Sequence, residues 1–224
     1  MFAALSPAAR ARRRGQRGAV AVEAALVTSF ILVPMLLGII EFCFVMRDYV
    51  AVTSASRSGA RMASASAAAG VQVCDTGESG TDCSNTSAPQ LAKVAVNAIQ
   101  DQGTALNKDQ VNYVLVYKAN ASGFPGTLTK WGSNPITDCK NAGSCVTYTW
   151  VKGSGKFKYS SGNGSWTSTT INACVANTDA VGVYINTTHR FVSNFFGATL
   201  PVSDRTVMSF EPLTAATCAA GTHA

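Results

Sequence analysis

The chain has 224 residues, of which 47% are hydrophobic and 13% are charged, and its formal net charge is +6. It contains one apolar stretch of membrane-spanning length, which excludes a polytopic membrane protein and indicates one membrane segment with one outer domain. Five of the 18 basic residues are arginines that precede that stretch. Without them, 13 basic residues remain against 12 acidic ones, so the net charge does not predict a nucleic-acid-binding surface.

The apolar stretch runs from Ala24 to Met46 and is predicted to form a transmembrane helix. Its 23 residues, at about 1.5 Å each, are enough to cross about 30 Å of hydrocarbon. Asp48 neutralises Arg47 on its C-terminal side, whereas the N-terminal side carries Arg10, Arg12, Arg13, Arg14 and Arg17. The positive-inside rule therefore predicts that residues 1–18 are cytoplasmic and that the C-terminal domain is extracytoplasmic, with the helix in the cytoplasmic (inner) membrane. A secretory signal peptide is the competing interpretation, but its apolar region would be shorter, about 7–15 residues.

Glu23 is a carboxylate at the edge of this helix, where a charge costs energy unless it pairs or reaches the interface. If the chain is cut after Gly18, Glu23 becomes the fifth residue of the new chain, one helical turn from the new α-amino group of Ala19. A basic leader ending in Gly, followed by an apolar helix with Glu at its fifth place, resembles the processing site of type IV prepilins. The alternative is an interfacial carboxylate that only marks the end of the helix.

Three motifs extend this pattern: GAVAVEAAL at residues 18–26, VPMLLGIIEF at 33–42 and SASRSGARMA at 54–63. Together they resemble the TadE-like pseudopilins of the tight-adherence pilus system, although Ala24 and Cys43 stand where the family often has Phe and Gly. The resemblance covers about the first 70 residues and, loosely, Val202–Pro212. It implies cleavage by a prepilin peptidase between Gly18 and Ala19. It also implies that other pilins or pseudopilins and the pilus assembly platform are partners.

Two further features of the helix have open interpretations. Glu41 follows Glu23 by 18 residues, roughly 27 Å along the helix, so it is expected near the outer interface, where it either snorkels or contacts a partner helix. Pro34 removes a backbone hydrogen bond and is expected to kink the helix. Small residues recur at every fourth place, either to seat the chain's own outer domain or to pack on another subunit: Ala51, Ala55, Gly59, Ala63 and Ala67.

The expected fold class is α+β: a long N-terminal transmembrane helix that continues out of the membrane and packs on a small antiparallel β-sheet domain. The domains would be a basic leader (1–18), the transmembrane and extended helix (19–69, helical from about Ala21) and an extracytoplasmic domain (70–224). A loop is predicted from Val71 to Pro89 and a second helix from Gln90 to Gln102. Period-two stretches predict strands at 111–117, 145–151, 156–159, 180–186 and 204–210, with a short helix, Arg190 to Phe196, linking the last two.

Six of the seven cysteines lie in the predicted outer domain, and an even number in an exported domain indicates disulfides. Six cysteines allow 15 connectivities, of which the most local is Cys74–Cys83, Cys139–Cys145 and Cys174–Cys218. A zinc site is the alternative, but the chain has no C-x-x-C pair and only two histidines. Cys43 lies within the membrane helix, where a packing role is expected.

No arrangement of residues predicts catalysis. The chain has no H-E-x-x-H and no G-x-S-x-G motif, and Gly155-Lys156 lacks the earlier glycine of a phosphate-binding loop. We therefore expect no enzymatic activity, no catalytic residue, no metal and no cofactor. Besides the pilin interpretation, two others stay open: an uncleaved single-pass envelope protein with an extracytoplasmic binding domain, and a secreted enzyme tethered to the membrane.

Overall fold

The computed structural model describes residues 18–75, 78–80, 83–101, 106–175, 178–194 and 196–214. The chain divides into two compact units. One unit contains the helix up to Val45 together with Phe191–Ala198, and the other contains Met46–Arg190 and the chain from Thr199 onward. The fold is α+β, as the sequence predicts, with one long N-terminal apolar helix and a mixed domain built on antiparallel strands.

Helix α1 runs from Gly18 to Ala65, a length of 48 residues. Alanine and straight-chain residues favour this state, and the helix ends four residues before the predicted Ala69, at a turn that leads to Gly70 with φ +72°. Residues Thr28–Leu32 form a π-helical turn in which the N–H of Val33 bonds to the carbonyl of Thr28. Because the ring of Pro34 would clash with the carbonyl four residues earlier, the wider turn is its physical consequence.

The second unit is built on a five-stranded antiparallel sheet with the strand order β5-β4-β3-β6-β7. Its strands are β3 (Val111–Ala119), β4 (Cys145–Val151), β5 (Lys156–Tyr159), β6 (Ala180–Arg190) and β7 (Thr199–Ser209). In the register, Val116 of the central strand lies between Val146 and Val183. All five predicted strands are present, and the longest two extend well beyond their predicted ranges.

The predicted helix from Arg190 to Phe196 is wrong. Strand β6 continues to Arg190, and the described residues between the strands form bends and a turn instead of a helix. Burial alternates with period two from Ile185 to Arg190, and β7 pairs with β6 over its full length. Because the pairing reaches Arg190 and Thr199, the chain between them has to close a hairpin, and this outweighs a local helical preference.

One face of the sheet packs against helix α1 and helix α2 (Gln90–Asp101). Helix α2 begins where the sequence predicts and buries Leu91, Ala95 and Ile99. The small residues of α1 are buried in the same core, so the stripe seats the chain's own domain. At Gly59, a Cβ would approach two carbons of Ile99 to 2.9 Å, which shows how closely the two helices pack.

The other face of the sheet carries an aromatic cluster that includes Tyr117, Tyr184 and Trp131. Helix α3 (Pro135–Ala142), which the sequence did not predict, packs beside it. Its start has a clear local cause, because the side chain of Asn134 accepts hydrogen bonds from two backbone N–H groups of the first turn. Within the predicted loop of residues 71–89, the structure also has a short antiparallel pair, β1 (Val71–Gln72) and β2 (Asn85–Pro89).

Candidate functional site

The N-terminal turn of helix α1 exposes the residues predicted for processing. Gly18, Ala19 and Glu23 are all exposed, and among the described residues nothing beyond its chain neighbours lies within 4 Å of a Cβ built on Gly18. Ala19 and Glu23 are one helical turn apart, so a charge at either position faces the other along the helix. A carboxylate here also faces the positive end of the helix dipole. The leader arginines lie outside the described residues.

The surface of the helix after Glu23 is apolar and exposed. Large hydrophobic side chains project from it with half or more of their area uncovered, among them Phe30, Ile31, Met35, Ile39 and Phe42. Helix α1 is the one helix in the described part of the chain that is long and apolar enough to cross a membrane. Such a surface suits lipid or the apolar surfaces of neighbouring helices, and it indicates single-pass anchoring.

Glu41 interrupts this apolar surface and is held by the chain's own loop. The side chain is 2% exposed, and its Oε1 accepts a hydrogen bond from the backbone N–H of Ser193 at 2.6 Å. One turn before it, the ring of Phe196 lies 3.1 Å from where a Cβ on Gly38 would be. Glu41 therefore has an intrachain contact in place of the snorkelling position considered from sequence. Its contact with a partner helix stays a prediction.

Polar groups in the second unit attach the C-terminal part of helix α1 to the sheet. Asp48 lies 2.7 Å from Nδ1 of the buried His189 and also pairs with Arg47 at 3.1 Å. Two turns further on, the hydroxyl of Ser56 donates to Asp204 at 2.9 Å. These contacts satisfy buried polar groups that would otherwise destabilise the fold. They also fix the rotation of the helix about its own axis relative to strands β6 and β7.

A cleft of about 310 Å³ in the outer domain contains a cluster of charges that the sequence did not reveal. Lys93 is buried and donates to Glu78 at 2.7 Å, and it also pairs with Asp75 at 3.0 Å. Lys156 donates to the other oxygen of Glu78 at 3.0 Å. The hydrogen bond from Lys93, together with that from Lys156, lowers the pKa of Glu78 to about 2 against the opposing effect of burial.

Beside this cluster, Tyr148 donates to the buried side-chain oxygen of Gln72, whose amide donates to the carbonyl of Cys83 at 2.8 Å. Burial raises the pKa of Tyr148 well above its usual value. Glu78 is therefore ionised and Tyr148 neutral near pH 7, and both are engaged by the chain itself. Because the residues of the cluster are distant from one another in sequence, no local motif could have predicted it. This arrangement stabilises the loop and is unsuited to acid–base chemistry near neutral pH.

A protein-family model matches most of helix α1. Residues 18–61 match the family model described as TadE-like protein. This match confirms the resemblance seen in the three motifs, and it covers helix α1 from Gly18 to Arg61. No curated protein and no solved structure gives a significant match to the chain.

The TadE-like segment contains four of the features described above: the exposed start at Gly18, Glu23, Glu41 and Asp48. Their environments differ, since Glu23 is exposed whereas Glu41 and Asp48 are buried. The charged cleft and the β-sheet lie outside the matched residues. The similarity therefore concerns the anchor helix, and the outer domain is described by its own structure alone.

Cysteines of the second unit form disulfides. The structure contains Cys74–Cys83 and Cys139–Cys145. Cys174 is disulfide-bonded, and its predicted partner Cys218 lies outside the described residues. Cys43 on the TadE-like segment is free and exposed. Within the described ranges, no group of three or more His, Cys, Asp or Glu side chains is placed to hold a metal ion.

Proposed function

We propose that this protein is a membrane-anchored minor pilin or pseudopilin that acts in the assembly of a tight-adherence pilus. The observation that carries the proposal is the TadE-like helix of residues 18–61, which begins with an exposed Gly18 and presents Glu23 one turn after Ala19. A subunit of this kind needs an apolar helix that can leave the lipid and pack against neighbouring helices. The exposed apolar surface of α1 meets that need.

In the proposed pathway, a prepilin peptidase removes residues 1–18 and leaves a new α-amino group on Ala19. Glu23 then pairs with this amine, either in its own chain or in a neighbouring one. The pair neutralises two charges in a medium of low dielectric constant and sets the axial register between helices. The exposure of Gly18 and Glu23 supports both steps, because a peptidase and a neighbouring helix each need access.

The partners in this proposal are the membrane, sister pilins or pseudopilins, the pilus assembly platform and the peptidase. The helix would lie in the cytoplasmic membrane with its start in the cytoplasm and the sheet domain outside. The arginine-rich leader and the disulfides of the sheet domain support this orientation. The role is structural and requires neither catalysis nor a cofactor.

The processing step is tested by the intact mass and N-terminal sequence of the protein isolated from membranes of its own host. We expect a chain that begins at Ala19. Gly18→Leu should retain the leader, whereas the matched variant Gly15→Leu should be processed normally. A native chain that keeps its arginines would contradict the proposal.

The role of Glu23 is tested by Glu23→Ala, which should leave membrane insertion intact and abolish piliation. Glu23→Asp keeps the carboxylate and serves as the matched control, with at least partial piliation expected. Pilus counts by electron microscopy, set against the amount of membrane-bound subunit, give the readout. Normal pili in the alanine variant would overturn the proposed pairing.

One observation favours a second candidate. The cleft beside Lys93 and Lys156 gives the outer domain a concave polar surface. An uncleaved single-pass envelope protein that binds a ligand with its outer domain would use such a surface. Retention of the leader in the mass measurement would favour this function over the pilin role.

A further inference from the structure

We propose that the loop between strands β6 and β7, described at residues 191–194 and 196–198, inserts into the outer leaflet of the membrane beside helix α1. This inference rests on the proposed anchoring of α1 in a bilayer and goes beyond it, because it gives the chain a second lipid contact far from the helix in sequence. The loop reads FVSNFFGA and contains no charged residue. Its polar side chains are those of Ser193 and Asn194.

Two large apolar side chains of this loop are exposed, beside the polar Asn194. Val192 is 77% exposed and Phe196 is 55% exposed, at the tip of a hairpin whose strands bury much of their apolar surface. Large apolar groups exposed together mark a contact with a partner or a membrane. Aromatic residues are also frequent at the boundary of a bilayer, where their rings lie at the level of the headgroups.

The level of the loop along the helix favours lipid as that partner. Phe196 lies against Gly38 and Ser193 lies against Glu41, so the loop is adjacent to the last turns of the apolar stretch. About 20 residues of helix cross the hydrocarbon, so a crossing that starts at Ala24 ends near Cys43 and places Gly38 and Glu41 in the outer half of the bilayer. The loop's apolar side chains are thus continuous with the exposed apolar surface of α1.

Three backbone N–H groups of the loop have acceptors within the chain. Irregular backbone is tolerated at membrane depth only where the protein satisfies its polar groups. The N–H of Ser193 donates to Glu41, that of Phe191 to the carbonyl of Ala198, and that of Gly197 to the carbonyl of Asn194. Glu41 therefore provides a hydrogen-bond acceptor for the loop, which explains why a carboxylate lies in an apolar helix.

The experiment measures the depth of single fluorescent labels on the full-length chain in phosphatidylcholine vesicles. Cysteines are introduced one at a time in the Cys43→Ser background and labelled with an environment-sensitive nitrobenzoxadiazole dye. The positions are Val192→Cys in the loop, Ile39→Cys on the exposed face of the helix and Ser161→Cys in an exposed turn after strand β5. Quenching by spin-labelled lipid is compared with quenching by aqueous iodide.

We expect the label at position 192 to behave like the one at position 39, with blue-shifted emission, strong quenching by lipid and several-fold weaker quenching by iodide than at position 161. If position 39 reports lipid while position 192 reports water, the inserted loop is overturned and the anchoring stands. If position 39 also reports water, both the anchoring and the loop insertion fail.

Discussion

At the scale of single residues, helix α1 shows that one residue type takes different roles according to its surroundings. Glu23 is exposed, Glu41 binds the backbone of Ser193, and Asp48 contacts His189. Sequence patterns picked out Glu23 and Glu41 because a carboxylate in an apolar stretch is costly and therefore conspicuous. The partners of Glu41 and Asp48 lie some 150 residues away and could not be inferred locally.

Replacing Glu41 tests its role as an acceptor for the loop. Glu41→Leu removes the acceptor for the Ser193 N–H, so a label at position 192 should move toward water and be quenched more strongly by iodide. Glu41→Gln keeps an acceptor oxygen and should leave the label in lipid. Equal iodide quenching in the two variants and the parent chain would contradict this role.

The Glu78 cluster predicts a defined loss of stability in acid. Because the folded-state pKa of about 2 lies below the usual value of 4.5, Glu78 contributes stability that is fully present above pH 4.5. That contribution is lost as the pH falls from 4.5 toward 2. Thermal unfolding in detergent should therefore show a smaller decrease in Tm between pH 6 and pH 3 for Glu78→Gln than for the parent chain.

The control for this measurement is Glu211→Gln, which removes an exposed carboxylate outside the cluster. It should retain the parent's pH dependence. If Glu78→Gln loses as much stability in acid as the parent, the ion pairs with Lys93 and Lys156 contribute nothing to acid sensitivity.

At the scale of elements, glycines mark the places where two elements approach most closely. Gly59 of α1 lies against Ile99 of α2, and Gly182 of β6 lies under the ring of Tyr117 on β3. In the latter case a Cβ would come within 2.3 Å of two ring carbons of Tyr117, which is fully buried. The ring, whose hydroxyl donates to the carbonyl of Gly123, has little room to move.

Gly182→Ala should therefore destabilise the outer domain by about 1–3 kcal/mol, the usual cost of inserting a methyl group into a packed core. Gly153→Ala is the matched control, since nothing lies within 4 Å of a Cβ there and its φ is not in the left-handed region. Chemical unfolding in detergent, followed by near-ultraviolet circular dichroism, compares the two. Equal stabilities would show that Tyr117 shifts without cost.

At the scale of the whole molecule, the disulfides, the leader and the apolar helix support the same proposed orientation of the chain in the membrane. Cys74–Cys83 and Cys139–Cys145 need an oxidising compartment, whereas the arginine-rich leader favours the cytoplasm. The net charge arises largely from that leader. Removal of the leader would leave a chain whose net charge is close to zero.

Alkylation tests this location. In protein taken from its own host and denatured without reduction, iodoacetamide should modify Cys43 alone, and after reduction it should modify all seven cysteines. Mass spectrometry counts the modified sites, and Cys43→Ser should show none before reduction. Reduced cysteines throughout the native protein would place the domain in the cytoplasm and contradict the proposed orientation.

The sequence by itself determined the apolar helix, its TadE-like motifs, the α+β class and the central residues of all five strands of the main sheet. These features depend on composition and on short-range periodicity, which a single chain segment carries in full. Sequence was less successful where a segment's state depends on distant partners, as in the extension of β6 to Arg190 and the β1–β2 pair. It also missed helix α3, although Asn134 supplies a local cap.

Only the tertiary structure decided which way the small-residue stripe faces, what holds Glu41 and Asp48, and which charges meet in the cleft. Each of these depends on a contact between residues far apart in the chain, and in such contacts packing and hydrogen bonding outweigh local preference. The stripe is compatible in sequence with another subunit or with the chain's own domain. The close approach of Ile99 to Gly59 and the burial of Ala55 and Ala63 resolve that choice in favour of the chain's own domain.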